Sequence, residues 1–220
     1  MRLTLNQITH NSAIIDFQNI LTDIFKVHNI SINESMSFKS LYQLMSIVGF
    51  SAFATNNYLK TEPFLLSTYG LIINHQNKEK SVFYHIHILY LIANTLFRNK
   101  KFTESQHYLK LMHEEMLSHK KKYYNSFKLK YHLLLTLNLN YSNQPHKAIS
   151  LLKPFIGIKH DDTESLLDIQ LSFITYLFQK QHLKEAYSEL AKLYHTDKWY
   201  IEKIGIEWVI KKNLLEILLL

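Results

Sequence analysis

The sequence predicts an all-α fold assembled from antiparallel helix pairs. Three observations predict it. Apolar residues recur at helical spacing almost throughout the 220-residue chain, and no stretch alternates as a strand does. The breaks between these stretches are short and carry turn or cap residues, which sets consecutive helices side by side and antiparallel. Four glycines and three prolines are too few for a turn-rich sandwich or barrel, or for a disordered linker.

Taken in order, a first helix is expected over roughly residues 12–27, and HNISINES (28–35) separates it from a second at about 37–57. Residues 1–36 read as an N-terminal capping-helix region, and 37–220 as the helical repeats. Thr61-Glu62-Pro63 places a cap residue and a proline at the start of a third helix, where the missing N–H costs nothing. Asn143-Gln144-Pro145 does the same later, and Asp161-Asp162-Thr163-Glu164 reads as a capping box. Counting between such signals gives about ten helices of roughly 12–20 residues.

The pairs repeat. Aligning Ser105, Ala148 and Ala186, which lie 43 and 38 residues apart, brings Ile92, Leu135 and Phe173 into one column. Leu96, Leu139 and Leu177 form the next. On the second helix of each pair Leu109, Leu152 and Leu190 align, then Met112, Phe155 and Leu193. Every residue in those four columns is apolar, and the anchor is small each time. A small residue lets two helices approach, and the apolar columns bury the seam between them. Ile92, Leu135, Phe173, Ala148 and Ala186 are therefore expected in the core.

This pattern resembles the tetratricopeptide repeat over about residues 60–195. Ile92-Ala93, Leu96, Phe102, Ser105, Leu109 and Met112 carry it best, with Phe173, Leu177, Leu183, Ala186, Leu190 and Leu193 close behind. The middle unit departs at Pro145 and Thr136, and a degenerate earlier unit is placed on Phe64, Ser67 and Leu71. The resemblance implies a right-handed α-solenoid and a concave groove lined by the first helix of each pair. It assigns to that groove His87, Tyr90, Asn94, Phe97 and Arg98, then Lys130, Leu133, Leu137, Asn140 and Tyr141, then Asp168, Leu171, Thr175, Phe178 and Gln179. Asn94 stands where chaperone-tail binders keep an asparagine for peptide backbone. Tyr90, Leu134, Asp168 and Ser172 replace the rest of their carboxylate clamp. The implied partner is a peptide or protein segment, and the implied activity is non-enzymatic.

The two ends read differently. Residues 7–36, QITHNSAIIDFQNILTDIFKVHNISINESM, resemble the tail of the DNA-binding domain in Rgg-type regulators, whose tetratricopeptide-like sensor binds a peptide pheromone. That resemblance implies a peptide-sensing domain of a transcriptional regulator, as an alternative to a simple cap. At the other end NLLEILLL stops inside an apolar helix without a cap residue. Trp208, Val209, Leu214, Leu215, Ile217 and Leu218 form its stripe, and the expectation is a missing downstream repeat or self-association through this helix.

Composition bounds the chemistry. No cysteine is present, which excludes a disulfide scaffold, a thiolate metal site and a cysteine nucleophile, and fits a reducing cytoplasm. The first residues lack the apolar core of a secretory signal, and no apolar run reaches membrane-span length. Isolated Gly49, Gly70, Gly157 and Gly205 cannot build a phosphate loop, and no GxSxG occurs. Thirteen histidines invite a metal. Yet His85 and His87 sit about 200° apart on a helix, and His113-Glu114-Glu115 meets its next histidine at 119, too far for HExxH. No metal, no cofactor and no catalysis are expected. The net charge of +7 is concentrated in HKKKYYNSFKLKYH (119–132), where Lys120, Lys121 and Lys122 precede aromatics. That composition also suits single-stranded nucleic acid, against the plainer reading of a solvated turn at a helix C-terminus.

Overall fold

A computed structural model describes residues 32–33, 35–74 and 81–219, together with Asp23 and residues 25–27. The first expected helix falls mostly outside these, although Asp23 and 25–27 are helical. Beyond that fragment the described residues form ten α-helices and no strand, so the all-α fold is established. They are α1 (Phe38–Thr55), α2 (Tyr58–Asn74), α3 (Val82–Arg98), α4 (Phe102–Leu117), α5 (Tyr124–Tyr141), α6 (Pro145–Leu152), α7 (Thr163–Gln179), α8 (Leu183–Leu190), α9 (Asp197–Ile204) and α10 (Ile206–Leu219). A kinked turn occupies His119–Lys121 and a short 3₁₀ turn Lys153–Phe155. The chain divides into two compact units, Met1–Glu115 and Met116–Leu220.

One turn recurs four times. Asn56, Lys100, Asn143 and Gln181 all take positive φ, at 53°, 62°, 59° and 61°. In each case the next residue donates its N–H to a carbonyl five residues back: Asn57 to Ala52, Lys101 to Leu96, Gln144 to Leu139 and His182 to Leu177, at 2.8–3.2 Å. This closure satisfies carbonyls that a helix C-terminus leaves open. The second helix of each pair then begins two residues after the left-handed residue, at Tyr58, Phe102, Pro145 and Leu183. Three residues further on lie Thr61, Ser105, Ala148 and Ala186, each at most 2% exposed.

These four turns correct the sequence reading at the third helix. It starts at Tyr58, and Pro63 lies inside it. The turn at Asn56 fixes the start, so Thr61 is an anchor and not a cap, and its hydroxyl donates to the Asn57 carbonyl at 3.1 Å. The earlier unit accordingly packs through Thr61, Leu65 and Thr68, whereas Ser67 is exposed and Phe64 and Leu71 are half-buried. The capping box is displaced by one residue. Asp162 caps α7 by accepting from the Ser165 N–H at 3.1 Å and the Ser165 hydroxyl at 2.7 Å, which leaves Asp161 outside. Pro145 does open α6 as expected.

Within the first unit α1 packs on α2, α2 on α3, and α1 on α3. Gly49 permits the last approach, because a Cβ there would lie 3.0 Å from Leu91 Cδ2. The Ser105 hydroxyl seals α4 onto α3 by donating to the Ala93 carbonyl at 2.8 Å. Glu62 is buried on α2, and it accepts from Asn99 Nδ2 at 2.6 Å and from Lys101 Nζ. Burial opposes ionisation of this carboxyl. The hydrogen bonds from Lys101 and Asn99 and the lysine charge outweigh it, so Glu62 is held below the usual carboxylate range.

Within the second unit α5 packs on α6 and α7, α7 on α8, and α10 on α7, α8 and α9. The same rule operates, first helix against first helix, with Phe173, Ala148 and Ala186 in the core as expected. Leu135 is corrected: it is half-buried, and the fully buried residues of that stretch are Leu134, Thr136 and Asn138. Thr136 and Asn138 tolerate burial by bonding to their own helix, at the carbonyls of Leu133 and Leu134. The last helix buries Trp208, Val209 and Leu215, while Ile206, Ile210, Leu214, Ile217 and Leu218 are each at least half exposed.

Candidate functional site

The first helix of each pair turns its strongest apolar positions inward, and what remains outward is the candidate surface. In the first unit that surface is aromatic and basic. Tyr42 on α1 stacks on Tyr84 of α3 with ring centroids 4.2 Å apart, and its hydroxyl lies 3.0 Å from His87 Nδ1. His87 in turn stacks with Tyr90 at 6.5 Å. All four rings are partly exposed. They form a ladder across α1 and α3 whose faces offer π surface and whose tips offer donors and acceptors.

Asn94 and Arg98 lie further along α3, at the Tyr58 end of α2. The Arg98 guanidinium stands 5.8 Å from the centroid of the Tyr58 ring, with the Asn94 side chain near the phenol. Burial raises the Tyr58 phenol, and Arg98 and Asn94 only partly offset it. Phe97 departs from the groove assignment. It is 8% exposed and packs against Phe102 at 5.8 Å, because the turn at Lys100 folds α4 over it.

The second unit presents a different surface. Lys130, Leu133, Leu137 and Asn140 on α5 are half-buried, and Tyr141 is exposed. On α7 Asp168, Thr175 and Phe178 are half-buried and Gln179 is exposed, but Leu171 belongs to the core. The Thr175 hydroxyl is engaged with the Leu171 carbonyl at 2.8 Å.

Lys120, Lys121 and Lys122 are all exposed, and the first two take left-handed backbone at φ 57° and 60°. Lys122 Nζ stands 5.1 Å from the centroid of the Tyr123 ring. Lys128 bonds Asn125 at 3.2 Å, and His160 Nε2 lies 3.3 Å from the Asn125 carbonyl. The His160 contact brings the loop carrying Lys159 to the start of α5, which follows the three lysines in sequence.

The two α3 histidines face different helices, as their spacing predicts. His87 meets Tyr42 of α1, and His85 meets Tyr69 of α2. Glu115 pairs with His85 at 3.6 Å. Among the described residues no three metal-ligating side chains converge, and no helix is long and apolar enough to cross a membrane.

Sequence reasoning missed Tyr42, Tyr84, Tyr69 and the pairing of Glu115. The signal that could have found the two on α1 and α2 is the turn column, which places α1 and α2 as a full pair once Asn56 is aligned with Lys100. No protein-family model, curated protein or solved structure matches the chain.

Proposed function

We propose that this chain is a tetratricopeptide-like interaction module: a right-handed solenoid of antiparallel helix pairs that binds an extended peptide segment along its first helices in the cytoplasm. The observation that carries the reading is the fourfold recurrence of turn and anchor. One closure at Asn56, Lys100, Asn143 and Gln181 is followed each time by a buried small residue. Such an array stacks pairs in one direction and leaves first helices side by side, which suits recognition of an extended chain. Aromatic rings at Tyr42, Tyr84 and Tyr90 supply area at low entropic cost, and His87, Lys130 and Asn140 supply polar contacts. Binding would be additive over these groups and would need no chemistry.

The test is selection of dodecapeptides from a random displayed library on the 220-residue chain. Selected peptides are expected to lose at least tenfold in affinity against Tyr90→Ala and Lys130→Ala. Peptides that bind both variants as tightly as the wild type would sink the groove reading.

A second reading rests on the exposed Lys120–Lys122 beside Tyr123, with the Lys159 loop drawn toward α5. It predicts single-stranded nucleic acid binding that weakens steeply between 50 and 200 mM salt, as counterion release requires.

A further inference from the structure

We propose that His85 is a proton-operated joint between the first and second helix pairs. Its imidazole connects three helices. Nε2 lies 3.2 Å from the Tyr69 hydroxyl on α2, and Nδ1 lies 3.6 Å from Glu115 Oε1 on α4. The Tyr69 ring stacks alongside at 5.9 Å, and Tyr108 of α4 meets that ring edge-on at 5.8 Å. The His85 and Glu115 side chains are 16% and 26% exposed, so solvent screens the pair only partly.

The geometry is served in both protonation states. In the neutral tautomer that carries its hydrogen on Nδ1, that N–H faces the carboxylate and Nε2 accepts from the Tyr69 O–H. Protonation places a hydrogen on both nitrogens. Nε2–H then donates to the phenol oxygen, the phenol proton rotates away, and the Glu115 contact becomes an ion pair. In the protonated state the Tyr69 hydrogen bond is charge-assisted and the Glu115 contact is an attraction of opposite charges at 3.6 Å, which makes this the stronger set. The phenol itself does not titrate in this range: burial first, then Tyr108 and Glu115, push Tyr69 up to about 12.

Groups facing His85 include Tyr69 from α2 and Glu115 from α4, with Tyr108 behind Tyr69. The phenol that α1 brings to α3, Tyr42, meets His87. Because α2 belongs to the first pair and α3 and α4 to the second, proton uptake tightens a contact between pairs. The seam between pairs sets how successive pairs are angled, so this site couples pH to the set of the first unit. The sign follows from linkage. A histidine that gains a partner on folding stabilises most below the ordinary value of about 6.5, and the gain fades as pH rises through its folded midpoint.

The experiment is a proton NMR titration of the histidine ring resonances in the full chain, with His85 assigned by loss of its signal in His85→Gln. Glu115→Gln is expected to lower the His85 midpoint by about one pH unit. Thermal unfolding supplies a second measurement: the loss of Tm in Glu115→Gln should be larger at pH 5.5 than at pH 8. An unmoved midpoint, or a Tm gap equal at both pH values, overturns the proposal. The wild type alone also decides, since a His85 midpoint at or below about 6.5 contradicts a joint that favours the charged ring.

Discussion

Replacing Lys100 by glycine should stabilise the protein, although it removes a side chain and adds none. Lys100 sits at φ 62°, where its Cβ crowds the backbone, and its side chain is exposed. Left-handed backbone costs an ordinary L-residue about 1–2 kcal/mol, and glycine nothing. Against that gain, glycine gives the unfolded chain more freedom, at about 0.5–1 kcal/mol. The difference is a net stabilisation of about 0.5–1 kcal/mol, or roughly 1–4 °C in Tm for a chain of this size. The two hydrogen bonds of the turn, Lys100 N–H to Phe97 and Lys101 N–H to Leu96, are backbone bonds and survive the change. Lys100→Val should move the other way by about 1 kcal/mol or more, because β-branching makes positive φ a true outlier. Urea unfolding followed by circular dichroism measures both. Gln181→Gly repeats the experiment in the second unit, with the fluorescence of Trp199 and Trp208 as reporter. If the glycine variants are less stable than wild type while the valine variant is neutral, the shared left-handed turn is wrong.

Two further outcomes test the packing. Ala148 is fully buried where α6 meets the core, so Ala148→Arg should cost more than about 4 kcal/mol and unfold the second unit, seen as a red shift in tryptophan emission, while Ala148→Ser stays within about 1 kcal/mol. Glu62, held below the usual range on balance by Lys101 and Asn99, contributes stability above its unfolded value of about 4.3 and loses it as pH falls through the folded value. Glu62→Gln should therefore lower stability by about 1–2 kcal/mol near neutral pH, with Lys101 half-exposed limiting the loss, and by much less at pH 3. Equal losses at both pH values would refute the ion-pair assignment.

The anchor column was readable because burial acts on side-chain size. Ser105, Ala148 and Ala186 are small for one reason, and a periodic search finds them. The fourth anchor, Thr61, was hidden because Pro63 carries a stronger local signal for a helix start, and the turn at Asn56 overrides it. The turn column was invisible for a different reason. Its closure is made of backbone groups, and only two of its four residues are asparagines that favour left-handed backbone; Lys100 and Gln181 announce nothing. Capping by Asp162 in place of Asp161 is a one-residue choice between identical side chains, decided by the Ser165 N–H and hydroxyl.

The candidate surface was legible by face and illegible by partnership. Helical spacing alone sets His85 and His87 on opposite sides of α3, because 200° of rotation separates them. It cannot say what each will meet, since Tyr42 lies 45 residues from His87 and Tyr69 lies 16 from His85. Those partners depend on the register between helix pairs, which the turn at Asn56 sets and the sequence signals at Thr61-Glu62-Pro63 misplace. Phe97 and Leu171 occupy groove positions by spacing and core positions in fact, Phe97 because the turn at Lys100 folds α4 over it. A groove position is defined by what the neighbouring helix leaves uncovered. Where a second helix or a neighbouring first helix closes over an apolar ring, burial at about 25 cal/mol per Å² outweighs any pattern that would keep the ring exposed. The residues left outward are then those whose polar tips gain nothing from burial: Tyr42, Tyr84, His87 and Tyr90 in one unit, and Lys130, Asn140 and Tyr141 in the other.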